Sequence, residues 1–321
     1  MSSTPPAPPR HVARVVDAAL GSRIRSCERA TGGRMAETYL LDLDGDPARA
    51  VCKVGGPSVR TDDVIEPLVL RLVAGTPGLP VPEVLASGQL RREEAGESAG
   101  DTAGDYWALY EFREGRPPTP FASLDAAGRR RIIRRIGSAL GRLHAAHQFE
   151  RTGGLGRADD RLEIREHAGL NAPEWARRLA GQYPVSEATD RQPVLTHGDL
   201  FPGNLLVDGN GTITALLDWG NAHVTTAGYA LARAEMRFVD WFRFPRRERR
   251  ALRRTLREGY QNHRRLPAEY RSLAGPYKLL WLLQSADRIR RHLGSSRGRA
   301  QLRRHLRSLV PDTLGGDVDD V

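Results

Sequence analysis

Residues 195–206 read LTHGDLFPGNLL. His197, Asp199 and Asn204 stand in a run of small and turn-forming residues with apolar stretches on both sides. By itself the segment fits a His–Asp proton relay, half of a metal site, or a polar loop between two strands. The residues that follow decide among these. LLVDGNGTITALLDW (205–219) holds two short apolar runs, 205–207 and 213–217, separated by Gly209-Asn210-Gly211, a strong hairpin-turn signal. Closing that hairpin brings its open ends together, with facing residues about 5 Å apart. The open ends carry Asn204 and Asp218, so an amide oxygen and a carboxylate arrive side by side, with Asp199 upstream in the same loop. Three hard oxygen groups converge with one histidine and no cysteine. That set suits Mg²⁺ and does not suit Zn²⁺.

A chain of 321 residues is long enough for two packed lobes or one large domain. Its 40% hydrophobic and 27% charged residues place it among soluble globular proteins. No apolar run approaches the roughly 18 residues of a membrane span, and MSSTPPAPPR has neither the apolar core nor the cleavage-like site of a signal peptide. Residues 1–10 are expected to be a disordered lead. Cys27 and Cys52 are too few for a disulfide framework and lack metal-ligand spacing, which fits a reducing cytoplasm.

The net charge of +10 is unevenly spread. Residues 233–310 hold 22 Arg/Lys against 6 Asp/Glu, a net of +16, and the acidic tail 311–321 carries −4. Nucleic acid, an anionic substrate or solvated helix faces each account for such a basic third. Solvated faces are favoured, because RRERRALRRTLRE (246–258) and RGRAQLRRHLRSL (297–309) alternate Arg with Leu and Ala at helical spacing. No recognition motif or aromatic-interleaved basic strand supports nucleic-acid binding.

Along the chain, HVARVVDAALG (11–21) predicts a helix closed by Gly21, and ETYLLDL (37–43) with ARAVCKV (48–54) predicts an antiparallel pair joined by DGDP. TDDVIEPLVLRLVAG (61–75) predicts a helix capped by Thr61, Asp62 or Asp63, with Pro67 near its start. Residues 91–105 are expected to be an exposed hairpin loop before the strand YWALYEF (106–112), and EGRPPTP (114–120) a linker between lobes. A long amphipathic helix over 126–147, short strands and turns over 193–222, and helices from about 228 to 309 complete the α+β pattern.

A second group of residues stands in the N-terminal half. ATGGRMAETYL (30–40) puts Gly32 and Gly33 at a turn before a strand, where backbone N–H groups can approach phosphates. Lys53, with no other lysine before position 278, sits inside the apolar strand AVCKV and needs a partner there. Glu66 in the following helix is one candidate, and a phosphate is another.

THGDLFPGNLLV followed by ALLDWGNA resembles the catalytic signature of the aminoglycoside phosphotransferase family, relatives of the eukaryotic-type protein kinases. The resemblance extends from Gly32 to Ala232. It takes in the Gly-Gly turn, Lys53, Glu66 in EPLVLRL, VPEVL (81–85), the hinge-like LYEFREG (109–115) and LGRLHA (140–145). It implies a protein-kinase-like bilobal fold, with a β-rich nucleotide-binding lobe over 11–115 and a mainly helical catalytic and substrate-binding lobe over 116–310. Asp199 would accept or orient a substrate hydroxyl attacking the γ-phosphate, and Asn204 and Asp218 would hold Mg²⁺. Lys53, fixed by Glu66, would grip the α- and β-phosphates of ATP, with GTP an alternative donor. Backbone groups of Glu111 and Arg113 would meet the nucleobase, with Tyr110 behind it, and His197 would shape the loop. The family often continues into a stretch like GDPxxDLA, whereas this chain has TTAGYALA (225–232), with Thr226 and Ala230 where acids often stand. The nucleotide loop offers Met35-Ala36 in place of a frequent Asn.

The expected activity is therefore ATP-dependent phosphorylation of a small-molecule hydroxyl. A protein kinase is disfavoured by the lack of HRD, DFG and APE segments, and a catalytically inactive binding module by the presence of lysine, base and both metal ligands. Residues 233–310 offer few carboxylates to a polycationic aminoglycoside: Glu235, Asp240, Glu258, Glu269 and Asp287. A neutral or acidic sugar-bearing acceptor, such as a nucleoside antibiotic, is expected instead, with Tyr229, Trp241, Trp281 and Arg288 as candidate lining. Arg-, Ala- and Gly-rich composition points to a high-GC genome and antibiotic self-resistance; an aminoglycoside kinase and a metabolic sugar or amino-alcohol kinase are the alternatives. No nucleic-acid or membrane partner is expected, and the sequence does not determine the oligomeric state.

Overall fold

The computed structural model describes residues 7–30, 36–90, 106–166, 192–268, 270–292 and 294–309. Gly32, Gly33, Met35, the 91–105 loop, residues 1–6 of the lead, Glu269 and the acidic tail lie outside them, as do the side chains of Asp287 and Arg288.

The N-terminal half is a five-stranded antiparallel sheet in the order β1 (Ile24–Arg29), β2 (Ala36–Leu43), β3 (Arg49–Gly55), β5 (Tyr106–Glu111), β4 (Val84–Gln89). Helix α1 (Arg10–Leu20) buries Val12, Val15 and Val16. That i, i+3, i+4 stripe packs with Tyr39, Leu41, Cys52 and Leu109 in one apolar cluster. Gly21 closes the helix with φ +61°, and its N–H donates to the Asp17 carbonyl (2.9 Å).

Helix α2 (Glu66–Val73) carries Ile65, Val69, Leu70 and Val73 into the larger core, which also holds Ala108 and Tyr110 of β5. It is shorter than the sequence pattern indicates, and none of the expected caps serves it. Pro67 lacks an N–H and must sit in the first turn, so the helix begins at Glu66. Two of these candidate caps, Thr61 and Asp63, make long-range ties instead. The Thr61 hydroxyl donates to the Leu155 carbonyl (2.7 Å), and the Asp63 carboxylate accepts from the Arg157 N–H (3.0 Å) and Arg165 Nη1 (2.6 Å).

The rest of the molecule is built on α3 (Ala126–Ala146), whose N-cap Asp125 accepts from the Gly128 N–H (2.6 Å). β6 (Gly153–Ala158) and β7 (Arg161–Arg165) form a hairpin that the sequence reading did not anticipate. They join β8 (Val194–Thr196) and β11 (His223–Thr225) in a four-stranded sheet ordered β7-β6-β11-β8. β9 (Leu205–Val207) and β10 (Ile213–Leu216) form the expected hairpin. Then follow α4 (Ala227–Glu235), a π-helical turn (Met236–Asp240), α5 (Arg246–Gln261), α6 (Tyr270–His292) and α7 (Ser295–Leu309). On α5 the solvated-face expectation holds in part. Arg246, Arg247, Arg250 and Arg254 are exposed, but Arg253 and Arg257 turn inward onto Asp240 and Glu235.

Candidate active site

The β9–β10 hairpin delivers what its turn chemistry requires. Asp208 receives the Asn210 and Thr212 N–H groups (2.9 and 2.7 Å), Gly211 adopts φ +71°, and Leu205 faces Leu216. The Leu217 N–H then donates to the Asn204 carbonyl (2.9 Å), so Asn204 sits opposite Leu217 and Asp218 is the next residue beyond that rung. Asn204 Nδ2 donates to the Asp199 carbonyl (2.9 Å), which orients the amide and leaves Oδ1 for a cation. Asp218 holds φ +66°, an unusual backbone state for a residue with a side chain, and half of its carboxylate surface is open. Among the described residues no three His, Cys, Asp or Glu side chains form a metal cluster. Two oxygen donors beside open space fit Mg²⁺, which completes its shell with phosphate oxygens and water.

Lys53 joins the two halves of the site. Its Nζ lies 3.0 and 2.9 Å from the Glu66 carboxylate oxygens and 3.6 Å from Asp218 Oδ1. Burial acts to lower the ammonium pKa, but Glu66 and Asp218 outweigh it, so the group lies above its ordinary value and stays charged. Glu66 Oε1 also accepts the Trp219 N–H (3.2 Å), locking the carboxylate between α2 and the segment after β10. Tyr110 is buried beneath the lysine, its ring centroid 5.9 Å from Nζ. At the end of β5 the Glu111 N–H donates to the Glu83 carbonyl (2.9 Å), and Arg113 bonds to Glu111 (3.0 Å) and to the Val81 carbonyl (3.0 Å).

His197 is packed inside the loop. It is buried against Trp219 (ring centroids 4.4 Å apart), and its Nδ1 accepts the Asp199 N–H (3.3 Å). Burial lowers its pKa to about 4, against the opposing charges of Asp199 and Asp218, so it is a neutral loop-shaping residue near neutral pH. Gly198 has φ +80°, and a Cβ there would lie 1.6 Å from the Asn221 carbonyl oxygen. The turn therefore demands glycine. Asn221 in turn accepts the Val59 N–H (3.1 Å), tying the loop after β3 to the same place.

Two residues beside Asp199 were missed from sequence. Arg237 Nη2 donates to Asp199 Oδ1 (3.3 Å), and Arg233 Nη2 lies 3.8 Å from the same oxygen while bonding to the Gly198 carbonyl. Their i, i+4 spacing was the available signal, hidden among many arginines. Thr226, where the family pattern often has an acid, caps α4 by accepting the Tyr229 N–H (3.3 Å).

The candidate acceptor residues are placed unevenly. Tyr229 and Trp281 are buried, and the Tyr229 hydroxyl donates to Gln284 (2.6 Å). Trp241 is half-buried between Trp281 and His305. Glu235 and Asp240 are not open carboxylates. Glu235 binds Lys278 and Arg257 (both 2.6 Å), and Asp240 binds Lys278 (2.8 Å) and Arg253 (3.0 Å). Burial pushes both acids up, but these cations outweigh it and hold them below their usual range.

No curated protein sequence matches the chain. Solved structures do resemble it. The aminoglycoside phosphotransferase APH(4)-Ia, in a ternary complex with AMP-PNP and hygromycin B, aligns with a TM-score of 0.62 at 16% identity, over 92% of this chain and 98% of that one. An amicoumacin kinase bound to AMP-PNP, Ca²⁺ and Ami gives 0.62 at 12% identity, over 88% and 87%. A macrolide 2'-phosphotransferase from Brachybacterium faecium gives 0.55 at 17% identity, over 94% and 98%. At these identities the likeness establishes the fold, a protein-kinase-like α+β arrangement with an antiparallel-sheet N-terminal lobe and a helical C-terminal region. The sequence model of the phosphotransferase enzyme family matches residues 26–275, most of the chain. The chain belongs to the phosphotransferase enzyme family.

Proposed function

We propose that the protein is an ATP-dependent O-phosphotransferase that moves a γ-phosphoryl group to a hydroxyl of a small molecule, in the cytoplasm. The observation that carries this reading is Lys53, anchored on Glu66 and within 3.6 Å of Asp218. A phosphate-gripping cation and a metal-facing carboxylate thus share one cleft. The lobes divide at 114–120, with nucleotide between them. Backbone N–H groups at Gly32 and Gly33, outside the described residues, would approach the phosphates, Tyr110 would back the nucleobase, and backbone groups of Glu111 and Arg113 would meet its edge. Mg²⁺ held by Asn204 and Asp218 would neutralise charge on the transferred phosphate. Asp199 orients the acceptor hydroxyl and takes its proton as the oxygen attacks. Positioning and charge neutralisation supply most of the catalysis in phosphoryl transfer.

A neutral or acidic acceptor, such as a sugar-bearing nucleoside antibiotic, is favoured over a polycationic aminoglycoside. Arg233 and Arg237 flank Asp199, and Glu235 and Asp240 are already neutralised by buried cations. Such an activity fits antibiotic self-resistance. The test is an ATP-consumption screen over antibiotics and sugars, with product mass determined. A gain of one phosphoryl group that disappears in Asp199→Asn is expected. Turnover unchanged by that substitution would remove Asp199 from the mechanism, and ATP consumption confined to polycationic aminoglycosides would reverse the acceptor preference.

A further inference from the structure

Away from the residues assigned to phosphoryl transfer, the connection from the π-helical turn to α5 and helix α7 line a half-open cavity of about 210 Å³. Three guanidiniums line it from three separate segments: Arg243 on the connection, Arg249 in the first turn of α5, and Arg304 on α7. Phe242 and Phe244, with ring centroids 5.4 Å apart, form an apolar wall. Of the nearby acids, Glu248 pairs with Arg129 (2.7 Å), and Asp240, which lines the cavity, is neutralised by Lys278 and Arg253. Ser308 donates its hydroxyl to the His305 carbonyl (2.8 Å), so recognition falls to the arginines. Arg304 is held in place by the Trp241 carbonyl (3.2 Å) and by His305 Nε2 (3.2 Å). His305 Nε2 also meets the Gln301 amide (3.0 Å), an arrangement that keeps the imidazole a neutral acceptor at this nitrogen.

Three like charges facing one partly enclosed space repel each other. Burial and the nearby charges of Arg243 and Arg249 push the Arg304 guanidinium below its ordinary value. A bound anion reverses that cost, and guanidinium forks match the oxygens of phosphate-type oxyanions. We infer that this cavity is an oxyanion site, separate from the phosphotransfer cleft, for a phosphate group either free or carried on an apolar body that packs on Phe242 and Phe244. The site also has a built-in reporter. His305 stacks on Trp241 (5.0 Å between centroids, planes 18° apart), and Trp241 meets Trp281 edge-on (6.3 Å).

The inference stands independently of the proposed activity and is tested without turnover. Inorganic phosphate and phenyl phosphate are titrated separately into the full chain at constant ionic strength, following tryptophan fluorescence and heat. Saturable binding is expected, weakened about tenfold or more in Arg243→Gln and in Arg304→Gln, and kept in Lys53→Met. Arg243 is exposed, so its variant should keep the wild-type melting temperature and decides the matter if Arg304→Gln folds poorly. Tighter binding of phenyl phosphate assigns the site to a phosphate ester, and equal binding to free phosphate. Absence of saturable binding in the wild type overturns the site. So does binding that is undiminished in Arg243→Gln, whether or not Lys53→Met abolishes it.

Discussion

The Arg237 guanidinium lies 3.3 Å from Asp199 Oδ1, and it is held there by two aromatic faces, Phe201 (4.4 Å) and Trp281 (5.7 Å). Arg233, one helical turn earlier, reaches toward the same oxygen from 3.8 Å. Both cations address Oδ1, so in the proposed reaction Oδ2 would be the oxygen that faces an acceptor hydroxyl. The loop that presents Asp199 is therefore clamped from one side by the Asn204 side-chain amide on the Asp199 carbonyl and from the other by a pair of arginines.

If Arg237 positions the base, its loss should act on turnover more than on ATP binding. Arg237→Ala is expected to lower kcat by about tenfold to a hundredfold, the scale at which misplaced reacting groups lose rate, while KM for ATP changes little. Arg237→Lys should recover part of the loss by restoring charge without the planar fork. Steady-state kinetics with each substrate varied in turn checks this; a wild-type kcat in Arg237→Ala would reduce the contact to a surface ion pair.

The metal prediction rests on backbone as well as charge. Asp218 sits at φ +66°, where Asn is tolerated better than most residues with a side chain. Asp218→Ala should abolish Mg²⁺-dependent turnover, and intact turnover would refute its role as a ligand. Asp218→Asn keeps the backbone preference and an oxygen donor but removes the charge. It should raise the Mg²⁺ concentration needed for half-maximal rate, which a metal titration reads directly.

Local chemistry decided what was legible in the sequence. The arrival of Asn204 at the end of the hairpin that carries Asp218 follows from one strong turn, and the contact of Lys53 with Glu66 from a charge that a strand cannot carry alone. Where residues serve distant partners, local rules fail. Asp63 looks like a helix cap but answers to Arg157 and Arg165, more than ninety positions away. The β6–β7 hairpin, GGLGRADDRLEIR, escaped notice because glycines replace the alternating apolar residues that mark a strand. Arg233 and Arg237 are invisible for a different reason: in an Arg-rich segment, helical spacing does not separate an inward arginine from a solvated one.

Glycine spacing on α3 was read only as helix, yet it sets how closely α5 approaches. A Cβ on Gly137 would lie 2.1 Å from the Leu256 carbonyl oxygen, one on Gly141 2.5 Å from that of Tyr260, and one on Gly259 2.2 Å from that of Arg134. Alanine favours a helix over glycine by about 1 kcal/mol, but overpacking against backbone costs about 1–3 kcal/mol. Gly137→Ala should therefore be destabilising in urea denaturation. Unchanged or higher stability in Gly137→Ala would mean that the helices can move apart freely.

Stability should fall in mild acid because of buried histidines. Burial, assisted by the Arg264 charge, lowers the His144 pKa to about 3, and burial lowers His197 and His305 to about 4. Above the ordinary imidazole value of about 6.5 both folded and unfolded states leave these rings neutral, so they add no pH dependence. Below it the unfolded chain takes up protons that the folded chain refuses. Each group then costs about 1.4 kcal/mol per pH unit until its folded pKa is reached. The melting temperature is expected to drop steadily as pH falls from about 6.5 toward 4. His144→Gln, whose amide can replace the 3.0 Å contact with the Tyr260 hydroxyl, should show a shallower slope over that range. An identical slope in that variant would show that His144 is protonated in the folded protein or exchanges with solvent before unfolding.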